Sequence, residues 1–176
     1  MALQPVDLVV AATAARIETA HGQWRPTDVQ RALHLPWATL DRSLHRLRKA
    51  TVLRDQTLNR IALASLLPAL RYLFPLEIDE SCVERGVPTG YASAAFDGKI
   101  RYAVAQVWPD PAGSALGHPV LPLHPNVPAV ASQNPDLGAV FTLLDAVRGG
   151  RAREVGIAAE KLRVLLDLPL PYAGAS

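Results

Sequence analysis

Cysteine is nearly absent from this chain: Cys82 is the single cysteine among 176 residues. One thiol cannot form a disulfide within the chain, and it cannot supply the cysteine pairs of a structural zinc site. The apolar stretch at residues 8–15 is too short for a membrane span, and no positively charged segment precedes it. We therefore expect a cytoplasmic protein with no signal peptide and no membrane partner.

The chain also lacks the short motifs of common enzyme classes. Neither G-x-S-x-G, nor H-E-x-x-H, nor the phosphate loop G-x-x-x-x-G-K-[ST] occurs in it. Cys82 or a serine could be imagined with His118 or His124 as nucleophile and base, but both histidines lie in a proline-rich stretch. The acidic cluster at residues 77–84 lacks the alternation and the glycine of a calcium loop. We predict no enzymatic activity, no cofactor and no metal site.

The charges that are present divide unevenly along the chain. Up to Tyr72 there are ten basic and five acidic residues, a net charge of +5, and the remainder carries eight basic and eleven acidic residues, or −3. The hydrophobic content of 49% excludes disorder as the main state. This asymmetry favours a polyanionic partner for the front of the chain only.

Three helices and a hairpin are predicted in the front of the chain. Apolar residues recur at helical spacing over residues 5–21, and a threonine cap opens a short helix at 27–34. A proline suited to a first helical turn opens a third helix, at 36–50. Residues 52–54 and 60–62 flank a polar tip and predict a two-stranded hairpin.

The remainder predicts further helices on either side of a proline-rich stretch. A fourth helix is expected from Ser65 to Leu73, and six prolines between residues 109 and 128 favour extended structure without central strands. Apolar stripes over 134–148 and 151–166 predict a helical hairpin. The expected fold is mainly α with a small β-wing. Three units are predicted: a winged domain at 1–75, a proline-rich platform with short strands at 76–133 and a helical hairpin at 134–176.

The third helix has two contrasting sides. Leu40, Leu44 and Leu47 fall together on a helical wheel and predict the buried stripe. The opposite side is basic, which is typical of a helix that contacts phosphates and base edges, although a merely solvated face is the alternative. That side collects Ala38, Arg42, His45, Arg46 and Lys49, with Thr39 and Ser43 at its edge.

This pattern resembles the winged helix-turn-helix domain of MarR-type bacterial regulators over residues 5–63. The resemblance rests on a short helix at 27–33, the turn His34-Leu35-Pro36, a recognition helix at 37–50 and a wing at 52–63. Pro36-Trp37 departs from the polar cap of that family, and we interpret Trp37 as the edge of the core rather than a base-stacking ring. The resemblance implies base-facing residues Ala38, Thr39, Arg42, Ser43 and Arg46, and phosphate-contacting residues His45, Lys49, Arg54 and Arg60.

We therefore predict a sequence-specific DNA-binding transcriptional regulator, expected to be a repressor, that acts as a homodimer through its C-terminal helices. A fainter resemblance of segments 85–91, 107–111 and 145–154 to bacterial proteins with a winged-helix front end implies an alternative. In that alternative the chain is an antitoxin or adaptor that binds a partner enzyme and represses its own operon. Tyr91, Tyr102 and Trp108 form a candidate effector pocket.

Overall fold

Helices dominate the computed structural model, which describes residues 2–170. The structure is mixed α/β with two small sheets, in agreement with the prediction of a mainly α chain with a small β component. Met1 and residues 171–176 of the predicted third unit lie outside the described residues. The helices are α1 Pro5–His21, α2 Pro26–Leu33, α3 Trp37–Lys49, α4 Arg60–Leu66, α5 Leu70–Leu73, α6 Val127–Gln133, α7 Pro135–Gly149 and α8 Ala152–Leu165. The strands are β1 Leu53–Arg54, β2 Thr57–Leu58, β3 Glu84–Thr89, β4 Ala105–Pro109 and β5 Ala115–Pro119.

The first three helices pack against one another, and the hairpin follows directly. Helix α1 ends at Gly22, whose φ of 77° is the left-handed conformation that glycine adopts without strain. His34, with φ 52°, makes the turn between α2 and α3. The hairpin pairs Arg54 with Thr57, so its tip has only two residues. The predicted second strand at 60–62 is therefore wrong, because the returning strand begins at Thr57, three residues earlier than expected.

The fourth helix begins at Arg60 and not at Ser65. Asn59 caps it, since its side-chain oxygen accepts a hydrogen bond of 3.1 Å from the Ala62 amide. The Ser65 hydroxyl instead donates to the Ile61 carbonyl at 2.8 Å within the same helix. A short 3-10 turn at 67–69 contains Pro68, which cannot donate to the helical ladder, and separates α4 from α5.

The middle of the chain forms a closed three-stranded sheet. Strand β3 is antiparallel to both β4 and β5, and these two pair with each other in parallel. The prediction that prolines exclude central strands is wrong, because each strand has two neighbours. Pro88 is tolerated because only β4 pairs with that end of β3, which leaves its other side without a ladder partner. Gly86 and Gly117 sit where a Cβ would collide with a neighbouring backbone carbonyl.

Two helices, α1 and α7, form the centre of the molecule. Residues 7–15 of α1 are all buried, and in α7 residues 140–148 are buried without interruption. Helix α7 contacts α1, α5, α6, α8 and β3. The sequence predicts one apolar stripe on each of these helices, but in these stretches the structure buries every side of the helix. The α7–α8 hairpin exists as predicted, but it belongs to the same continuous core as the front of the chain.

A buried polar cluster connects α7 to the sheet. The carboxylate of Asp145 accepts hydrogen bonds from Thr89 Oγ1 at 2.8 Å and Trp108 Nε1 at 2.7 Å, and Arg148 Nη1 lies 2.6 Å from its other oxygen. Arg148 also donates to the carbonyls of Phe74 and Pro75 at 2.8 and 3.1 Å. Burial raises the pKa of Asp145, while its three donors oppose that shift. The cluster joins the end of α5, the sheet and α7.

None of the helices between residues 2 and 170 combines the length and apolar character that crossing a bilayer requires.

Candidate nucleic-acid interface

The inner side of α3 carries the predicted leucines. Leu40, Leu44 and Leu47 are buried with exposed fractions of 0%, 3% and 1%, which confirms the stripe inferred from their spacing. They pack within the core to which α1 and α2 also contribute. The opposite side of α3 is thereby held outward on a fixed support.

Asp7 of α1 fixes the rotation of α3. Its oxygens accept hydrogen bonds from Ser43 Oγ at 2.7 Å, from Arg46 Nε at 2.8 Å and from Arg46 Nη2 at 2.7 Å. Asp7 is fully buried and also accepts from the Gln4 amide at 2.7 Å. Its carboxylate holds the pKa of Arg46 above the usual arginine value. This bidentate pair has the geometry that makes arginine–carboxylate interactions strong and directional.

Ser43 and Arg46 are therefore not base-facing residues. The Ser43 side chain is completely buried, and the Arg46 side chain is 11% exposed, because both face the Asp7 carboxylate. The wheel placed them at or near the outer side because a wheel carries no information on a partner 36 or 39 positions away. The two side chains belong to the α1–α3 interface.

The outer side of α3 retains the other predicted residues. Ala38, Arg42, His45 and Lys49 are exposed, and Thr39 is half-buried. Arg42 Nε donates to the Ala38 carbonyl one turn earlier, at 3.1 Å, which aligns the guanidinium along the helix. Among residues 2–170, no carboxylate forms an ion pair with Arg42, His45 or Lys49. We call Ala38, Arg42, His45 and Lys49 the basic face.

Of the two arginines predicted to contact phosphates from the hairpin, only one is exposed. Arg54 is exposed on β1 beside the C-terminal end of α3. Arg60, by contrast, starts α4 and binds inward: its Nη2 lies 2.6 Å from Glu18 Oε2, and its Nη1 donates to the Leu166 carbonyl. Arg60 is therefore not a phosphate contact, because its guanidinium joins α1 to the end of α8.

Two further residues of α3 differ from the prediction or were missed by it. Trp37 is 50% exposed at the first position of the helix, so it is not the edge of the core. Arg48 is also exposed, and its Nε donates to the Asp55 carbonyl at the hairpin tip, at 3.3 Å. The sequence assigned no role to Arg48, and only the position of the hairpin reveals this contact.

The turn before α3 is hydrogen-bonded to a distant part of the chain. Asn126 Nδ2 donates to the carbonyls of Leu33 and His34 at 3.0 and 3.1 Å. The His34 ring nitrogen Nε2 lies 3.1 Å from the side-chain oxygen of Gln133. The start of α6 and its end therefore both contact the turn that sets the direction of α3. No sequence pattern pointed to these contacts.

The predicted effector pocket is only partly assembled. Tyr91 and Tyr102 line one cavity of about 510 Å³, with ring centroids 5.4 Å apart. Trp108 is not part of it, because its ring is 1% exposed and its Nε1 is bound to Asp145. The residue that enters the cavity from β4 is Gln106, two positions before the tryptophan.

Within the part of the chain that the structure describes, no three histidine, cysteine, aspartate or glutamate side chains are grouped closely enough to hold a metal ion.

Comparison with known proteins gives no match to a family model, to a curated protein or to a solved structure.

Proposed function

We propose that the protein is a sequence-specific DNA-binding transcriptional regulator of the cytoplasm, acting as a repressor, whose residues 5–58 form a winged helix-turn-helix. The observation that carries the proposal is the basic face of α3, which projects from a leucine-anchored helix and has no carboxylate partner among the described residues. A helix of this kind fits the major groove, and Arg54 on the adjoining hairpin lies where a wing would contact phosphates.

The arrangement of the three helices supports this proposal. Helices α1, α2 and α3 contact one another, and the hairpin contacts both α3 and α1. In a helix-turn-helix the second helix of the pair enters the groove while the first lies across the backbone. With α2 in that position, Arg42 would read base edges, and Lys49 and Arg54 would contact phosphates.

The DNA-binding test begins with selection of bound sequences from a random duplex pool by the purified protein. Arg42→Ala is expected to weaken binding to the selected sequence by about 1–3 kcal/mol, because bidentate recognition of a guanine is lost. Lys49→Ala and Arg54→Ala should weaken all duplexes alike and lower the salt dependence by about one ion each. Titrations over a range of salt concentrations measure both effects.

Arg153→Ala is the matched control, since Arg153 is an exposed arginine on α8. It should leave duplex binding unchanged. Failure of the wild-type chain to retain any duplex at low salt would contradict the proposal, and so would equal losses from Arg153→Ala and Arg42→Ala.

A homodimer remains part of the proposal, but of the two C-terminal helices predicted to pair only α8 can do so. Helix α7 is buried on all sides and cannot pair. The outer side of α8 is available: Val164 is 63% exposed, and an apolar cavity of about 260 Å³ lies between α4 and α8. A twofold dimer would double the length of the DNA site.

Light scattering tests the dimer. Val164→Glu should convert a dimer into monomers and weaken binding to the selected duplex, because it places a charge in the proposed apolar contact. Val83→Glu, at a residue 56% exposed on a different part of the surface, is the control and should change neither property. A wild-type chain that is monomeric would favour the alternative of an antitoxin or adaptor whose α8 surface binds another protein.

A further inference from the structure

The cavity lined by Tyr91 and Tyr102 contains a polar side chain without a partner. Gln106 lines it and is 6% exposed, yet its side-chain amide makes no hydrogen bond to the residues that the structure describes. The polar groups on either side of it are satisfied, since Thr89 and Trp108 both donate to Asp145. Its polar atoms are open to the cavity, so the amide offers a donor and an acceptor to a molecule bound there.

A second polar group lies next to this amide. His118 of β5 is the register partner of Gln106 and also lines the cavity. The His118 Nδ1 atom lies 2.9 Å from the Cys82 carbonyl, which can only accept, so Nδ1 carries the hydrogen. In the neutral ring, Nε2 is then an acceptor. Gln106 and His118 together offer a donor and two acceptors on neighbouring strands.

Aromatic surface completes the site. The rings of Tyr91 and Tyr102 are tilted by 41° to each other, and Tyr102 is 47% exposed at the rim. Burial, together with the nearby Glu154 carboxylate, raises the pKa of Tyr91, so its phenol stays neutral. Rings of this kind favour planar ligands, because every aromatic heterocycle has a face that can pack against them.

The positive and negative charges of the residues that line the cavity are equal in number. Arg101 and Arg151 are balanced by Glu80 and Glu154, all of which line it. The lining therefore carries no net charge, which favours a neutral ligand over an ion of either sign. Its volume of about 510 Å³ lies in the range of small-molecule sites.

We propose that this cavity binds a neutral nucleobase or nucleoside, recognised through hydrogen bonds to Gln106 and His118 and through contact with the two tyrosine rings. A carboxamide matches the adjacent donor and acceptor on the edge of a base, as glutamine matches adenine in nucleic-acid recognition. The site lies on the sheet and at the α7–α8 corner. None of its lining residues belongs to the basic face.

Calorimetric titration of the purified full chain with adenosine, guanosine, cytidine and uridine tests the proposal. At least one nucleoside should bind, and Gln106→Leu should weaken it by about tenfold or more, because the amide contacts are lost. Tyr102→Ala, at a half-exposed residue, should weaken binding of the same nucleoside. Arg153→Ala and Arg42→Ala should leave the affinity unchanged.

Absence of binding by all four nucleosides at millimolar concentration would overturn the proposal. Equal affinity in the wild-type protein and in both the Gln106→Leu and Tyr102→Ala variants would also overturn it. A preference for the charged nucleoside monophosphate over its nucleoside would contradict the requirement for a neutral ligand. Because Arg42 is remote from the cavity, these outcomes are independent of whether the protein binds DNA.

Discussion

At the scale of single residues, Asp7 determines which side of α3 is available. It orients Ser43 and Arg46 inward, and so leaves Arg42 and Lys49 as the outward cations. The same buried carboxylate accepts from the Gln4 amide at the start of α1. One side chain thus caps one helix and positions another.

Asp7→Ala is expected to lower the free energy of unfolding by about 3–5 kcal/mol, because it leaves the Arg46 guanidinium largely buried without a partner. Urea denaturation followed by circular dichroism measures the change. Asp41→Ala, at an exposed residue of α3, serves as the control and should change stability little. Equal stability of the two variants would show that the Asp7–Arg46 pair does not hold α3.

A second prediction at this scale concerns the effect of alanine substitutions at glycines on stability. Gly86→Ala should destabilise the protein by about 1–3 kcal/mol or more, since the added methyl group meets the Trp108 backbone carbonyl. Gly156→Ala on α8 is the matched substitution, with nothing within 4 Å of the added carbon. It should stabilise the protein by about 0.5–1 kcal/mol, as alanine is the better helix residue. Thermal unfolding of both variants distinguishes the two environments.

At the scale of elements, periodicity predicted α1, α3, α7 and α8, but it placed the start of α4 too late, missed α6 and misplaced the turn of the hairpin. The leucine spacing of α3 follows from local chemistry, because its burial recurs every three to four residues, and the bounds of α1 follow from Pro5 in its first turn and Gly22 after its end. The hairpin ended early because Asp55 adopts a left-handed conformation, with φ 55°, which the sequence does not mark with a glycine. The sequence predicts Asn59 as part of the hairpin tip, whereas in the structure it caps α4.

The candidate site was predictable only in part. Exposure of Arg42, His45 and Lys49 follows from their position opposite the leucines. The inward orientation of Arg46 and Arg60 does not, because each is set by a carboxylate about forty positions away, Asp7 and Glu18 respectively. A helical wheel shows only the spacing of residues within one helix, so it cannot show an ion pair with a distant part of the chain.

At the scale of the whole molecule, the continuous core makes the three predicted units interdependent. The front of the chain rests on α7, and the Asp145 cluster joins α7 to the sheet and to the end of α5. A core shared in this way favours a single cooperative unfolding transition.

Two tryptophans report on that cooperativity. Trp24 is buried in the front of the chain and Trp108 in the sheet, with exposed fractions of 6% and 1%. Two variants each retain one of these tryptophans and carry phenylalanine at the other two tryptophan positions. In each variant, the urea midpoint measured by fluorescence should equal the midpoint measured by circular dichroism. Separate midpoints within one variant would show that the front and the sheet unfold independently.

Arg148→Met tests the cluster that joins the parts. It should lower the free energy of unfolding by about 3–5 kcal/mol, because Asp145 would stay buried without its cation. Arg153→Met, at an exposed position, is the control and should have little effect. A loss as small as that of the control would mean that Asp145 is held by Thr89 and Trp108 alone.

The burial of α7 on every side has a practical consequence for engineering. A designer who grafts the first sixty residues onto another protein would leave behind the helix that contacts α1 from the core. The graft would then expose the apolar surface of α1 and aggregate. A graft of the front of the chain would therefore have to include residues 135–149, joined through a new linker.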